Sequence, residues 1–354
     1  MMHLLTRTLW YLSCMLLLVA CGNQTAAPTA KAGAMTQHEW HGVWAAAPYG
    51  PYPLGPATGV APIDPLALST LSLFAANQAK DQSFRMIIHP TLGGSVVRIR
   101  LSNLMGNRPI VFTSAQIARR AAGPAIVSGT TAALTFGGQP SVTIAPGQEA
   151  ISDAAEFKFK FGDDLAVSFH VVGASGPMTW HAVSFSANYV GLPGAGDTTA
   201  DPTGLSFAAQ PTAGWFFLSG LDVSATDSTG AIVAIGDSIT DGMLEIPESN
   251  TRWPDELAKR LQSVGVSMGV LNQGINSNTV TTEGTPAGQE FKGPPAVLRF
   301  QRDVLDRSGA HAVIIFEGTN DLTMGIKATE IYAGIISLVE RAHTAGLCVV
   351  LGTI

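Results

Sequence analysis

Apolar and polar residues alternate with period two in several short stretches of the first two thirds of the chain. In Val97-Arg98-Ile99-Arg100-Leu101 the apolar side chains share one face and the arginines the other, the pattern of a half-buried strand. Glu156 to Phe161 repeats it, with Phe157, Phe159 and Phe161 on one side; Leu165, Val167, Phe169 and Val171 carry the rhythm past the turn signal Gly162-Asp163-Asp164. Gly93-Gly94, Gly137-Gly138 and Pro146-Gly147 punctuate the runs. Short alternating strands between turns predict a β-sandwich or jelly-roll-like accessory domain over residues 37–225.

Past Gly230 the period changes. Ala231–Ile235 is wholly apolar, as expected of a strand buried on both faces in a parallel sheet. A helix is expected around Trp253–Leu261, where Pro254 suits a first turn. There follow a second strand over Val266–Leu271, a helix over Val297–Asp306, a third strand over Ala312–Phe316, a helix over Thr329–Ala345 and a fourth strand from Leu347. This alternation across 229–354 predicts an α/β domain, a flavodoxin-like doubly wound parallel sheet whose ligands bind beyond the carboxyl ends of its strands.

The start of the chain belongs to neither pattern. Residues 1–20 carry Arg7 and then an apolar run shorter than the roughly 20 residues that span a bilayer, which fits a signal peptide. Leu18-Val19-Ala20-Cys21 resembles the lipobox of bacterial lipoproteins, which implies cleavage before Cys21 and lipidation of that residue; a plain secretory signal with a chance cysteine is the alternative. Gly22 at the next position, rather than Asp, favours the outer membrane by that resemblance. Residues 21–36, rich in Ala, Thr, Pro and Gly, read as a flexible linker. The expected location is the bacterial cell envelope, lipid-anchored, or export.

Composition narrows the function. The 354 residues suit two domains, and a net charge of −6 leaves no basic footprint for nucleic acid. Three cysteines are too few for a disulfide scaffold, so export is argued from the leader alone. No metal-ligand cluster is visible. Trp40, Trp44, Trp180 and His181 could form a platform for sugar rings or fill the sandwich core and its contact with the next domain.

The polar chemistry collects at strand ends. The first buried strand runs out in Gly236-Asp237-Ser238-Ile239-Thr240-Asp241-Gly242, the second in Asn272-Gln273-Gly274-Ile275-Asn276-Ser277-Asn278, the third in Gly318-Thr319-Asn320-Asp321. Thr240 stands where a Gly-x-Ser-x-Gly elbow needs its second glycine, and no Gly-x-Gly-x-x-Gly follows the first strand to cradle phosphate. Together the three blocks resemble the SGNH (GDSL-type) hydrolases, and the β-rich segment before them resembles bacterial esterases of the acetylxylan-esterase type. That resemblance implies a metal- and cofactor-free carboxylic ester hydrolase acting through an acyl-Ser238 intermediate on an acylated carbohydrate or other small ester. It implies oxyanion donors from the N–H of Ser238, the side-chain amide of Asn320 and a backbone N–H of the second block, at Ser277 or Gly274. Asp237, Gly318, Asp321 and Asp241 read as supports of these loops. Ser277 stands where the family places glycine; if that position needs positive φ, Asn276 or Asn278 would adopt it more easily.

The family's acid and base come from a late Asp-x-x-His block, and the sequence contains no Asp followed by His at that spacing. His311 and His343 are poor substitutes, one before the third strand and the other in the last turn of a helix. The expectation is an SGNH domain incomplete at its C-terminus, the record of a longer enzyme. The alternatives are a non-catalytic glycan-binding surface lipoprotein, or a lipase or arylesterase on the same fold.

Overall fold

The computed structural model describes residues 39–55, 73–207, 211–224 and 228–353. The leader, Cys21 and the linker lie outside the described residues.

The alternating stretches form two antiparallel sheets. One has the strand order Trp40–Ala45, Leu218–Ser224, Gly94–Ser102, Ala155–Phe159, with Glu149–Ile151 also on Gly94–Ser102. The other is centred on Leu165–Pro177, between Gln78–Ile88 and Ile110–Ala122. Their facing side chains share one core: Val97, Ile99, Leu101, Phe157, Phe159, Leu221 and Val223 from the first, Phe84, Met86, Phe112, Val167 and Phe169 from the second. The arginines on the other face of Gly94–Ser102 pair across strands, Arg98 with Asp222 at 2.8 Å and Arg100 with Glu149 at 3.4 Å.

Leu165–Val171 departs from its half-buried pattern, since all seven residues are buried. Its outer face is covered by the segment around 187–207, where Tyr189 and Phe207 pack on Ile87, Ala118 and Ala166. Buried Arg85 ties that cover down, donating to Ser168 Oγ and to the carbonyls of Pro124, Thr199 and Asp201. Period alone could not reveal a covering loop.

The later apolar runs form four parallel strands in the spatial order second, first, third, fourth. The first, Ala231–Gly236, is buried throughout. The second spans Gly269–Gly274 and lies three residues later than its hydrophobicity suggests. Its polar residues Asn272 and Gln273 are ladder residues, in register with Ala234 and Ile235, because a parallel ladder is made by backbone groups whatever the side chain. The third and fourth strands are Ala310–Phe316 and Cys348–Leu351, and helices cover 253–263, 296–300 (continued by a wider turn to Leu305) and 328–344. Leu271, Val233, Ile235, Val313, Ile315, Phe300, Val304 and Leu338 form the core beneath this sheet.

Residues 39–353 fall within one compact unit. The strand Trp40–Ala45 joins its parts: Ala45 belongs to the core of the parallel sheet, and the Gly42 N–H donates to Ser308 O at 2.8 Å. At Gly269 a Cβ would lie 2.0 Å from Gly42 O, so only glycine permits this approach. Buried Thr91 completes the seam. Its hydroxyl accepts the Val270 N–H at 2.8 Å and has the carbonyls of Val43 and Val270 at 2.8 and 3.0 Å to donate to. Thr91→Val keeps the shape and strands these groups. Chemical denaturation should show a loss of about 1–3 kcal/mol, the cost of an unsatisfied buried donor or acceptor.

Candidate active site

Ser238 opens a single helical turn, Ser238–Asp241, at the carboxyl end of the first parallel strand. Asp237 caps it, Oδ1 accepting the Ile239 N–H at 2.9 Å, and Gly242 closes it at φ 102°, its N–H donating to Ser238 O at 3.0 Å. Glycine is needed on both sides. A Cβ at Gly236 would lie 2.1 Å from Thr240 Oγ1, and one at Gly274 would lie 2.2 Å from the Asp241 nitrogen. The end of the second strand thus abuts the serine turn directly. Ser238 is half-buried, and among the described residues its hydroxyl and its N–H make no hydrogen bond.

The loop after the second strand is clamped by side chains from four directions. Asp241 Oδ2 accepts the Asn276 N–H at 2.9 Å. Arg299 Nε donates to Asn278 Oδ1 at 2.9 Å, and Asn320 Nδ2 to Asn278 O at 2.8 Å. Asp321 accepts the N–H groups of Val280 and Thr281 at 2.8 and 3.0 Å and the Thr281 hydroxyl at 2.7 Å. Between its fixed neighbours Ser277 takes φ 66°. The expectation that Asn276 or Asn278 would occupy the left-handed position is therefore corrected. Asn276 is held through its N–H, and the Asn278 amide donates to Lys292 O and Pro294 O, so the residue between them absorbs the turn. Of the two second-block donors, Gly274 gives its N–H to Asn272 Oδ1 at 2.9 Å and serves the close approach to the serine turn. The Ser277 N–H has no partner among the described residues.

The third strand ends at Phe316, and Gly318, at φ 123°, turns the chain into the short helix Thr319–Thr323 that carries Asn320 and Asp321. Among the described residues one hydrogen bond uses the Asn320 amide nitrogen, which leaves its second N–H available. Beneath all three ends lies Arg299, fully buried. It donates to Gln273 O at 2.6 Å and Gly236 O at 3.1 Å, and meets Asp303 at 3.2 Å and Glu317 at 3.5 Å. Sequence reasoning missed it; the one signal was Asp303 four residues on.

Burial pushes the Glu317 carboxyl well above its ordinary value, the charges of Asp237 and Asp321 add to this, and Arg299 opposes it. The Arg299 contact is long for a charge-assisted bond, and Glu317 Oε1 has no partner among the described residues, so burial prevails. Burial also raises Asp237, against the Ile239 N–H and Arg299.

No histidine among the described residues is hydrogen-bonded to Ser238. His311 and His343 are exposed, at the start of the third strand and in the last turn of the helix 328–344. A different serine has triad-like neighbours: His170 lies 3.3 Å from Ser83 Oγ through Nδ1 and 3.2 Å from Asp81 through Nε2. Ser83 is wholly buried, with Gly196 O to donate to and the Thr198 N–H to accept, so no ester reaches it. His181 is buried, and both its nitrogens are engaged. Trp44 packs edge-on to Trp215, and Trp180 lies against Tyr52 and Phe216, so these rings serve packing. Among the described residues no group of His, Cys, Asp and Glu could hold a metal ion.

Residues 234–354 match the model of the GDSL-like Lipase/Acylhydrolase family. No curated protein matches the chain. Among solved structures, a G-D-S-L family protein from Desulfitobacterium hafniense DCB-2 is 28% identical over 34% of this chain and 57% of its own, with TM-score 0.27. AlinE4, an SGNH-hydrolase family esterase, is 20% identical over 36% and 60%, with TM-score 0.29. A family two carbohydrate esterase from Cellvibrio japonicus is 13% identical over 79% and 72%, with TM-score 0.27. The chain thus spans less than two thirds of the first two structures.

Two expectations concern stability. Glu317 binds its proton more readily folded than unfolded, so its contribution to stability falls as pH rises from the ordinary glutamate range toward the folded value. Melting temperatures measured between about pH 5 and pH 8 should decline more steeply for the native protein than for Glu317→Gln. Left-handed backbone at a non-glycine residue costs about 1 kcal/mol or more. Ser277→Gly should therefore raise the urea midpoint modestly, and Ser277→Val should lower it.

Proposed function

We propose, from the match of residues 234–354 to the GDSL-like lipase/acylhydrolase model, that the protein is a serine esterase. Its reaction passes through an acyl-Ser238 intermediate. The observation that carries the reading is the state of three donors at adjoining strand ends: the N–H groups of Ser238 and Ser277 are unpartnered among the described residues, and Asn320 keeps an amide N–H to offer.

In the first step the Ser238 hydroxyl attacks the ester carbonyl. Negative charge develops on the carbonyl oxygen, where pre-aimed N–H groups stabilise it more in the transition state than in the ground state. The alcohol leaves, and water releases the acid from Ser238. Neither step requires a metal or cofactor in this reading. The proton from Ser238 needs a base, which by the family resemblance is the histidine of an Asp-x-x-His block. No such spacing occurs in the sequence, so the base and its acid partner would come from outside these residues.

The substrate class we propose is an acylated carbohydrate, acetyl esters first, with the β-rich segment 37–225 as an accessory domain. The glycan-binding alternative gains no support from Trp44 and Trp180, whose rings pack on Trp215 and Phe216. Lipidation at Cys21 and attachment to the outer membrane remain part of the proposal from the leader.

The test uses the product of the complete reading frame, with p-nitrophenyl acetate and acetylated xylan as substrates. Ser238→Ala should abolish turnover and labelling by a fluorophosphonate, and Asn320→Ala should lower kcat by about 10²–10³. An unlabelled native protein that hydrolyses neither ester would sink the reading.

A further inference from the structure

We propose that Tyr49, from the β-rich part of the chain, is a positioning residue that aims the Ser277 N–H at the reacting ester. This rests on the esterase reading, which assigns that N–H to the developing oxyanion.

A trans peptide is planar, so the carbonyl of one residue and the N–H of the next point in opposite directions. The Ser277 N–H therefore points wherever the Asn276 carbonyl does not. That carbonyl is held: the Tyr49 hydroxyl is 3.1 Å from it, against 3.4 Å from Asp241 Oδ2. The Asn276 N–H is fixed from the other side by Asp241 Oδ2 at 2.9 Å. Both backbone polar atoms of Asn276 thus have assigned partners, and the next peptide cannot rotate without breaking the Tyr49 bond.

Such a restraint has a specific use here. Ser277 sits at φ 66°, where a non-glycine residue is strained and rotation of the preceding peptide is a ready escape. Tyr49 is fully buried, and burial together with the Asp241 charge pushes its hydroxyl well above the ordinary tyrosine value, so it keeps the proton it donates.

The supports of Tyr49 also come from outside the parallel sheet. His181 packs edge-on against its ring at 5.2 Å. Nδ1 of His181 faces Ala47 O at 2.8 Å, and Nε2 faces Val183 O at 3.1 Å and Asp241 Oδ1 at 3.0 Å. Both ring nitrogens are thus engaged, and with Oδ1 facing His181, Asp241 presents Oδ2 to Asn276. Ala47, Tyr49, Ala182, Val183 and Phe185 close around Ile275 in one small core. The geometry of the donor is built by the β-rich part.

Tyr49→Phe removes only the hydroxyl. In the complete gene product we expect kcat on p-nitrophenyl acetate to fall at least tenfold, with KM within about twofold and the melting temperature within a few degrees of native. Independently of activity, hydrogen exchange at the Asn276 amide, which is bonded to Asp241 Oδ2 beside Tyr49, should quicken by tenfold or more, while the core strand Leu165–Val171 stays as protected as before. His181→Gln, which removes the ring that packs edge-on against Tyr49, should move both readouts in the same direction by a smaller factor. Unchanged exchange at the Asn276 amide, or native kcat in Tyr49→Phe, overturns the proposal. If Ser238→Ala is as active as the native protein, the esterase reading fails instead, and the exchange measurement still decides whether Tyr49 holds this peptide.

Discussion

The strand ends that carry the site converge on one buried guanidinium. Arg299 donates to carbonyls at the end of the first and second parallel strands and to Asn278 in the loop beyond, and it meets Glu317 at the end of the third. A buried cation is tolerable only where acceptors surround it on all sides, and here they do. Three sequence-distant segments are thereby referred to a single planar group whose donors have fixed directions. Removing it would take from Asn278 Oδ1 and Glu317 the donor each has inside the core. The positions of Ser238, Ser277 and Asn320 all derive from strands and loops that end on this group.

Carboxylates do the second part of the work. Asp237, Asp241 and Asp321 are almost fully buried, and each accepts backbone N–H groups of a neighbouring turn rather than facing open solvent. Among the described residues the N–H groups of Ser238 and Ser277 are left without such a partner. The glycines at 236 and 274 let the turns close to within contact of each other, so small displacements in one are felt in the next.

Much of this was legible in the sequence, and the reasons it was not elsewhere are physical. Val97–Leu101 announced itself because one face is core and the other carries arginines paired to Asp222 and Glu149. Leu165–Val171 gave the same signal but is covered on its second face by a loop whose path no periodicity encodes. Gly-Asp-Ser and Gly-Thr-Asn-Asp could be placed at strand ends because apolar runs stop just before them. Arg299 could not be placed, since an arginine in a short helix ordinarily faces solvent. Nor could the conformation of Ser277 be read, because it is set by what grips Asn276 and Asn278 from distant parts of the chain.

Ser83, His170 and Asp81 offer a lesson of a different kind. They reproduce the order and spacing of a proton relay inside a β-sheet, yet the serine is sealed and its hydrogen-bonding capacity is already used. Chemical competence therefore depends on vacancy as much as on proximity: a nucleophile must have a free direction of approach and an uncommitted lone pair. Ser83 meets the spacing and lacks the vacancy, so in this fold the relay is a structural tie between strands.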